Sequence, residues 1–199
     1  MAWRKLFCGV GLALVAGVGS VLAEDLVVPE GFIALFNGRD LSGWKENRQD
    51  PVHRTVKGGV LEYDGKGGNL FHTQEFSNFV LLVDWRVDNN GNSGVFLRGG
   101  ATQVEINDAD KAPRPLWNGT SGGLYPHLPP LKRAARVAGE WNHYEIRVEK
   151  GVITVLLNGE RTVDGYEMQW GSRVRGGVGF QHHGTPLYVR NVFIKELAD

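Results

Sequence analysis

Cysteine is almost missing from this chain: the only one is Cys8, inside the apolar run near the amino terminus. A chain that loses this segment can form no disulfide, even in an oxidising compartment, so a hydrophobic core must hold it together. Charge of either sign is not in excess. Lys and Arg number 22, Asp and Glu number 22, and neither sign gathers into a long block. That excludes the electrostatic signature of a nucleic-acid partner or of an anionic membrane surface. Segments with helical period are absent beyond the amino-terminal run, and no internal repeat is visible.

What is present begins with a basic start, Arg4 and Lys5, an apolar stretch from Leu6 to Leu22, and small residues before Glu24. This pattern predicts a secretory signal peptide over residues 1–23, cleavage after Ala23, and one domain over 24–199. The product is expected to be periplasmic or secreted, with no membrane attachment after cleavage. An uncleaved anchor is the alternative, but the run is short of a comfortable span and rich in Gly.

Short strands separated by turn signals fill the rest. Phe79 to Val87 is the clearest, with Phe79, Leu81, Val83, Trp85 and Val87 on one face and Asp84 and Arg86 on the other. Gly31–Phe36, Val60–Tyr63, Asn142–Glu149, Val152–Leu157 and Leu187–Leu197 read the same way. The last has broken alternation at Arg190 and Asn191, as a bulge would produce. Asn37-Gly38 and Asn158-Gly159 are turn signals, and Asp88–Asn92 reads as an Asn-Gly hairpin rather than a calcium loop, since the terminal glutamate is missing. These features predict an all-β, two-sheet antiparallel sandwich. Trp44, Trp85 and Trp141 are expected in its core.

The most informative stretch is Asn92 to Asp108, two strands joined by a Gly-rich turn. Val95, Leu97, Val104 and Ile106 face one way. Arg98, Gln103, Glu105 and Asn107 are expected to face the other. An arginine, a carboxylate and two amides beside Phe96 suit a sugar-contacting surface, although a plain solvated face has the same alternation. Beyond Val178 and Phe180, Gln181 and His183 are expected on a polar face. A long Pro- and Gly-rich segment from Ala109 to Gly139 carries Arg114, Trp117, Tyr125 and His127. Loops of that length are commonly functional, and Trp117 is the candidate for stacking on a sugar, with Tyr125 beside it.

Several segments together resemble the 3-keto-disaccharide hydrolase domain family, also described as 3-keto-glucoside lyase/hydratase. They are LFNGRDLSGW from Leu35 to Trp44, NSGVFLR from Asn92 to Arg98, SGGLY from Ser121 to Tyr125, GEWN from Gly139 to Asn142, LNG from Leu157 to Gly159, GFQHHG from Gly179 to Gly184, and VRNV from Val189 to Val192. This sequence has Gln103-Val104-Glu105 where the family commonly shows Glu-x-Gln, and His182-His183-Gly184 where Asp-His-Gly is frequent. The resemblance implies a concanavalin A-like jelly roll of the lectin and glucanase type, a carbohydrate substrate, and cleavage of glycosides already oxidised at C3 by a separate sugar 3-dehydrogenase. Such a route needs a base, a proton donor and an electrophile for the enolate oxygen. The expected catalytic set is Glu105 and His183 as base and acid in either order, with Asp108 as an alternative acid. Arg98, alone or with a divalent metal, is the expected electrophile. Gln103, Asn107 and Gln181 complete the binding face. A non-catalytic carbohydrate-binding module and a conventional glycosidase are the alternatives.

Overall fold

The computed structural model describes residues 26–46, 53–108 and 115–198. The predicted signal segment, its cleavage point and Arg114 lie outside these residues. In chain order the strands are β1 (Ile33–Ala34), β2 (Trp44–Glu46), β3 (Arg54–Lys57), β4 (Val60–Tyr63), β5 (Leu70–His72), β6 (Phe79–Val87) and β7 (Asn92–Leu97). They continue with β8 (Thr102–Asn107), β9 (Leu124–Tyr125), β10 (Asn142–Glu149), β11 (Val152–Leu157), β12 (Glu160–Glu167), β13 (Gly179–Phe180) and β14 (Leu187–Glu196). They form two antiparallel sheets. The larger runs β12-β11-β10-β6-β14-β4-β3 with β1 added against β14, and the smaller runs β2-β5-β13-β7-β8-β9. No α-helix occurs among the described residues.

Alternation explains why the sheets stack. In β6 and β10 every second side chain is buried, and the inward set, Leu81, Val83, Trp85, Tyr144, Ile146 and Val148, is almost fully excluded from solvent. The smaller sheet meets it with Val95, Leu97, Val104, Ile106 and Leu124. Two sheets each contributing one apolar face give a sandwich with a single core, here a jelly roll. Trp85 is 1 % exposed, Trp44 lies in the same core, and the Trp85 and Tyr144 rings pack 5.4 Å apart.

The bulge in β14 falls where the broken alternation places it. The register against β6 shifts between Arg190 and Phe193, and Asn191 adopts a φ of 51°. The Asp88–Asn92 turn is tight, closed by the Gly91 N–H donating to the Asp88 carbonyl at 2.9 Å, but it is not the expected hairpin: β6 pairs with β10 and β14 and β7 with β8 and β13, so the turn carries the chain from the larger sheet to the smaller. Three further expectations need correcting. The strand expected over Gly31–Phe36 shrinks to Ile33–Ala34, both exposed, while the neighbouring Leu35 and Phe36 fill the core. Trp141 is not in the core: it lies half-buried on the outer face of the larger sheet, with the Arg190 guanidinium 4.1 Å and the Arg86 guanidinium 5.2 Å from its ring. The segment after Asp108 is not wholly irregular, because Leu124–Tyr125 pairs with β8 as the edge strand β9.

Candidate active site on the smaller sheet

Antiparallel register brings side chains from successive strands into rows, since directly paired residues share a face. One row crosses the whole smaller sheet on its outer side: Lys45, Phe71, Gly179, Phe96, Gln103 and Tyr125 are paired in turn from β2 to β9. The Phe71 and Phe96 rings meet above Gly179, centroids 5.3 Å apart and nearly parallel. A side chain at Gly179 would strike the Phe71 ring at 2.6 Å, so the glycine is what lets the two rings close over β13.

The adjacent row holds Gln181, Gly94 and Glu105. Gly94 pairs with Glu105, and the Gln181 N–H donates to the Gly94 carbonyl at 2.9 Å. The Gln103 side chain leans over Gly94, where a Cβ would come within 2.8 Å of its amide carbon. From there its Nε2 donates to Glu105 Oε2 at 2.9 Å and to Gln181 Oε1 at 3.2 Å. The backbone beneath is held from three sides. The Glu105 N–H donates to the Gly123 carbonyl, while its own carbonyl accepts from the Gly122 N–H and, through the core, from the Tyr144 hydroxyl. Glu105 is 4 % exposed and Gln103 5 %. Burial of a carboxylate this deep requires polar partners, and the Gln103 amide supplies one.

The structure therefore brings together Gln103, Glu105 and Gln181, with Tyr125 beside Gln103 at the edge and 42 % exposed. Asn107 shares their face one step further along β8, paired with Asn92, and its backbone exchanges two hydrogen bonds with the Ser121 hydroxyl. Arg98 does not join them. It follows the last residue of β7 with a φ of 44°, so strand alternation has ended and its side chain turns away. Its Nε donates to the Ser77 carbonyl at 2.9 Å and its guanidinium lies 4.2 Å from the Trp170 ring. It is 4 % exposed, and burial pushes its pKa below the usual arginine value.

Asp108 also serves the fold. One residue past β8, its carboxylate accepts the Asn90 N–H at 2.8 Å and fastens the turn that joins β6 to β7. His183 is exposed in the turn after β13 and makes no hydrogen bond among the described residues. Its neighbour His182 is the tethered one, with Nδ1 against the Tyr63 hydroxyl and its N–H donating to Asn69 Oδ1 at 2.7 Å. Trp117 is 51 % exposed, its ring lying over Gly119. Phe71 has no signal in the sequence that marks it, and although Gly94 and Gly179 lie in segments that carry the resemblance, only register reveals what they face. As for a metal, no three His, Cys, Asp or Glu side chains come together as ligands among the described residues.

The jelly-roll topology places the chain in the concanavalin A-like class of sandwiches. More narrowly, it belongs to the 3-keto-alpha-glucoside-1,2-lyase-like domain family, which residues 31–195 match. A 3-keto-disaccharide hydrolase of Bacteroides thetaiotaomicron is 25% identical over 230 aligned positions, covering 84% of this chain and 79% of that protein. Two crystal structures from Parabacteroides distasonis ATCC 8503, both provisionally named glycosyl hydrolases, share the fold. One has a TM-score of 0.73 at 31% identity over 85% of each chain. The other has a TM-score of 0.75 at 24% identity over 87% of this chain and 99% of its own.

Proposed function

We propose that the protein is a glycoside-cleaving enzyme whose substrate is a 3-keto glycoside, and that it works by elimination followed by hydration. The observation that carries this reading is the Gln181–Gln103–Glu105 chain on the outer face of the smaller sheet, a carboxylate held by an amide beside an aromatic step. Family membership and the name of the Bacteroides relative support the substrate class.

A ketone at C3 acidifies the C2 proton. Glu105 removes that proton, the electron pair moves into the C3 carbonyl to give an enolate, and the enolate then expels the C1 oxygen. Water adds to the unsaturated sugar afterwards. His183, in the exposed turn two residues beyond Gln181, is the candidate to protonate the leaving oxygen. Neither Arg98 nor Asp108 has a part, because both are engaged in holding the fold. A sugar 3-dehydrogenase would have to supply the ketone.

The conventional glycosidase alternative needs two carboxylates flanking the bond. Among the described residues, Glu105 is the one carboxylate on the outer face of β5, β13, β7, β8 and β9. That favours elimination. Purified protein incubated with the 3-keto and the unoxidised forms of one disaccharide is expected to cleave only the first. Cleavage of the unoxidised sugar would favour the ordinary glycosidase, and binding with no cleavage of either would favour a binding module.

A further inference from the structure

With Arg98 turned into the fold, the oxygen at C3 calls for another donor, and among the described residues the polarity of the amide chain points to one. An ionised carboxylate can only accept hydrogen bonds, so the group that Gln103 turns toward Glu105 Oε2 must be its NH₂. The same nitrogen lies 3.2 Å from Gln181 Oε1, which fixes the orientation of the second amide as well. The Gln181 oxygen points at Gln103, and its own NH₂ points elsewhere. That NH₂ has no hydrogen-bond partner among the described residues. Gln181 is half-buried, and its backbone is pinned on both sides, by its N–H to the Gly94 carbonyl and by the Ser93 hydroxyl to its carbonyl, each at 2.9 Å.

We infer that the Gln181 side-chain NH₂ is the oxyanion donor of this site, stabilising the C3 oxygen as the C2 proton leaves for Glu105; this rests on the function proposed above. Glu105 and Gln181 lie on one face, on either side of Gly94 in β7, and the Gln103 side chain leans over that glycine and bonds both. Base and donor therefore stand on the same face of the sheet, to either side of a residue with no side chain. An enolate requires them on neighbouring atoms, C2 and the oxygen of C3. Preorganisation is the important feature. A donor already oriented by a carboxylate, through one intervening amide, needs no rearrangement when charge develops.

The test follows exchange of the C2 proton of a 3-keto disaccharide with deuterated water, which reports enolate formation apart from departure of the leaving group. Gln181→Met keeps the bulk of the side chain and removes both N–H groups, and Gln181→Ala is the second variant in case methionine disturbs folding. Each is expected to slow exchange at saturating substrate by about 10²- to 10³-fold, with the melting temperature and the KM little changed. Gln181→Glu, which places negative charge against the enolate, is expected to be slower still. Wild-type exchange in Gln181→Met, with Glu105→Gln inactive, would overturn the inference alone. So would a loss expressed wholly in KM, since that is what a mere binding contact would produce. Wild-type exchange in Glu105→Gln, or no exchange by the unaltered protein, would overturn the proposed function and this inference with it.

Discussion

Each sheet carries a buried-to-half-buried carboxylate on its outer face, and the two are built for different ends. On the larger sheet Asp84 is held from both sides: by His143 Nδ1 at 2.6 Å and by the Arg190 guanidinium, Nε at 3.4 Å, with Asn191 Nδ2 completing the set at 2.8 Å. The β14 bulge is what brings consecutive residues, Arg190 and Asn191, to the same carboxylate. Beside them Arg86 lies against both Trp141 and Tyr188, so charge and aromatic surface are mutually spent. On the smaller sheet a neutral amide reaches Glu105, the residue opposite is a glycine, and the next amide has an uncommitted donor among the described residues. The Asp84 cluster ties β6, β10 and β14 together. Under the function proposed above, the Glu105 carboxylate, reached by an amide across a glycine, meets the substrate.

The largest expected effect undermines both faces at once. Trp85 lies on the inner face of β6 between Asp84 and Arg86 in sequence, and Trp85→Ala should cost about 3–5 kcal/mol of stability. A denaturant titration in which this variant unfolds at the wild-type midpoint would place Trp85 outside the core. A smaller and more local loss is expected from Asp84→Asn, which removes the ion pair but keeps the shape, at about 1–3 kcal/mol.

That loss should also depend on pH, with a definite sign. Burial opposes ionisation of Asp84, yet the hydrogen bonds from His143 and Asn191 outweigh it and hold the carboxyl below its reference value of 3.8. The folded pKa is depressed, so the stabilisation is fully present above the unfolded value and is lost as pH falls through it toward the folded one. Melting curves of wild type and Asp84→Asn should therefore converge in acid and separate near neutrality. Curves that stay a constant distance apart from pH 7 to pH 3 would show that the ion pair is not the source of the difference.

How much of this was legible in the sequence depended on strand length. Nine residues of β6 and eight of β10 give enough alternation to identify the inward face, and the parity of Gln103 and Glu105 follows from the same rule. The bulge at Arg190 and Asn191 was legible as a break in that pattern. Parity failed at Arg98, one residue beyond the end of β7, where the chain has already turned toward the fold; Asp108, named as an alternative acid without a face, sits one residue past β8 and holds the turn before β7. Three-residue β5 is too short to show a period, so Phe71 could not be assigned a face. β12 follows the Asn158-Gly159 turn signal, but its burial does not alternate, so the sequence assigns it no face. The row from Lys45 to Tyr125 and the role of Gly94 depend on register between strands distant in sequence, which periodicity does not encode. Trp141 shows the converse limit, an aromatic residue whose partners are guanidinium groups on the surface rather than other apolar side chains.

The most direct test of the contrast between the two faces is to follow C2 exchange of a 3-keto disaccharide by Glu105→Gln and Asp84→Asn side by side, with melting temperatures recorded for both. Glu105→Gln should remain folded and lose exchange by about 10²- to 10⁴-fold. Asp84→Asn should be less stable yet, at a temperature where it is fully folded, exchange at the wild-type rate. The opposite pattern, exchange surviving in Glu105→Gln and disappearing in folded Asp84→Asn, would move the chemistry to the larger sheet and contradict the account.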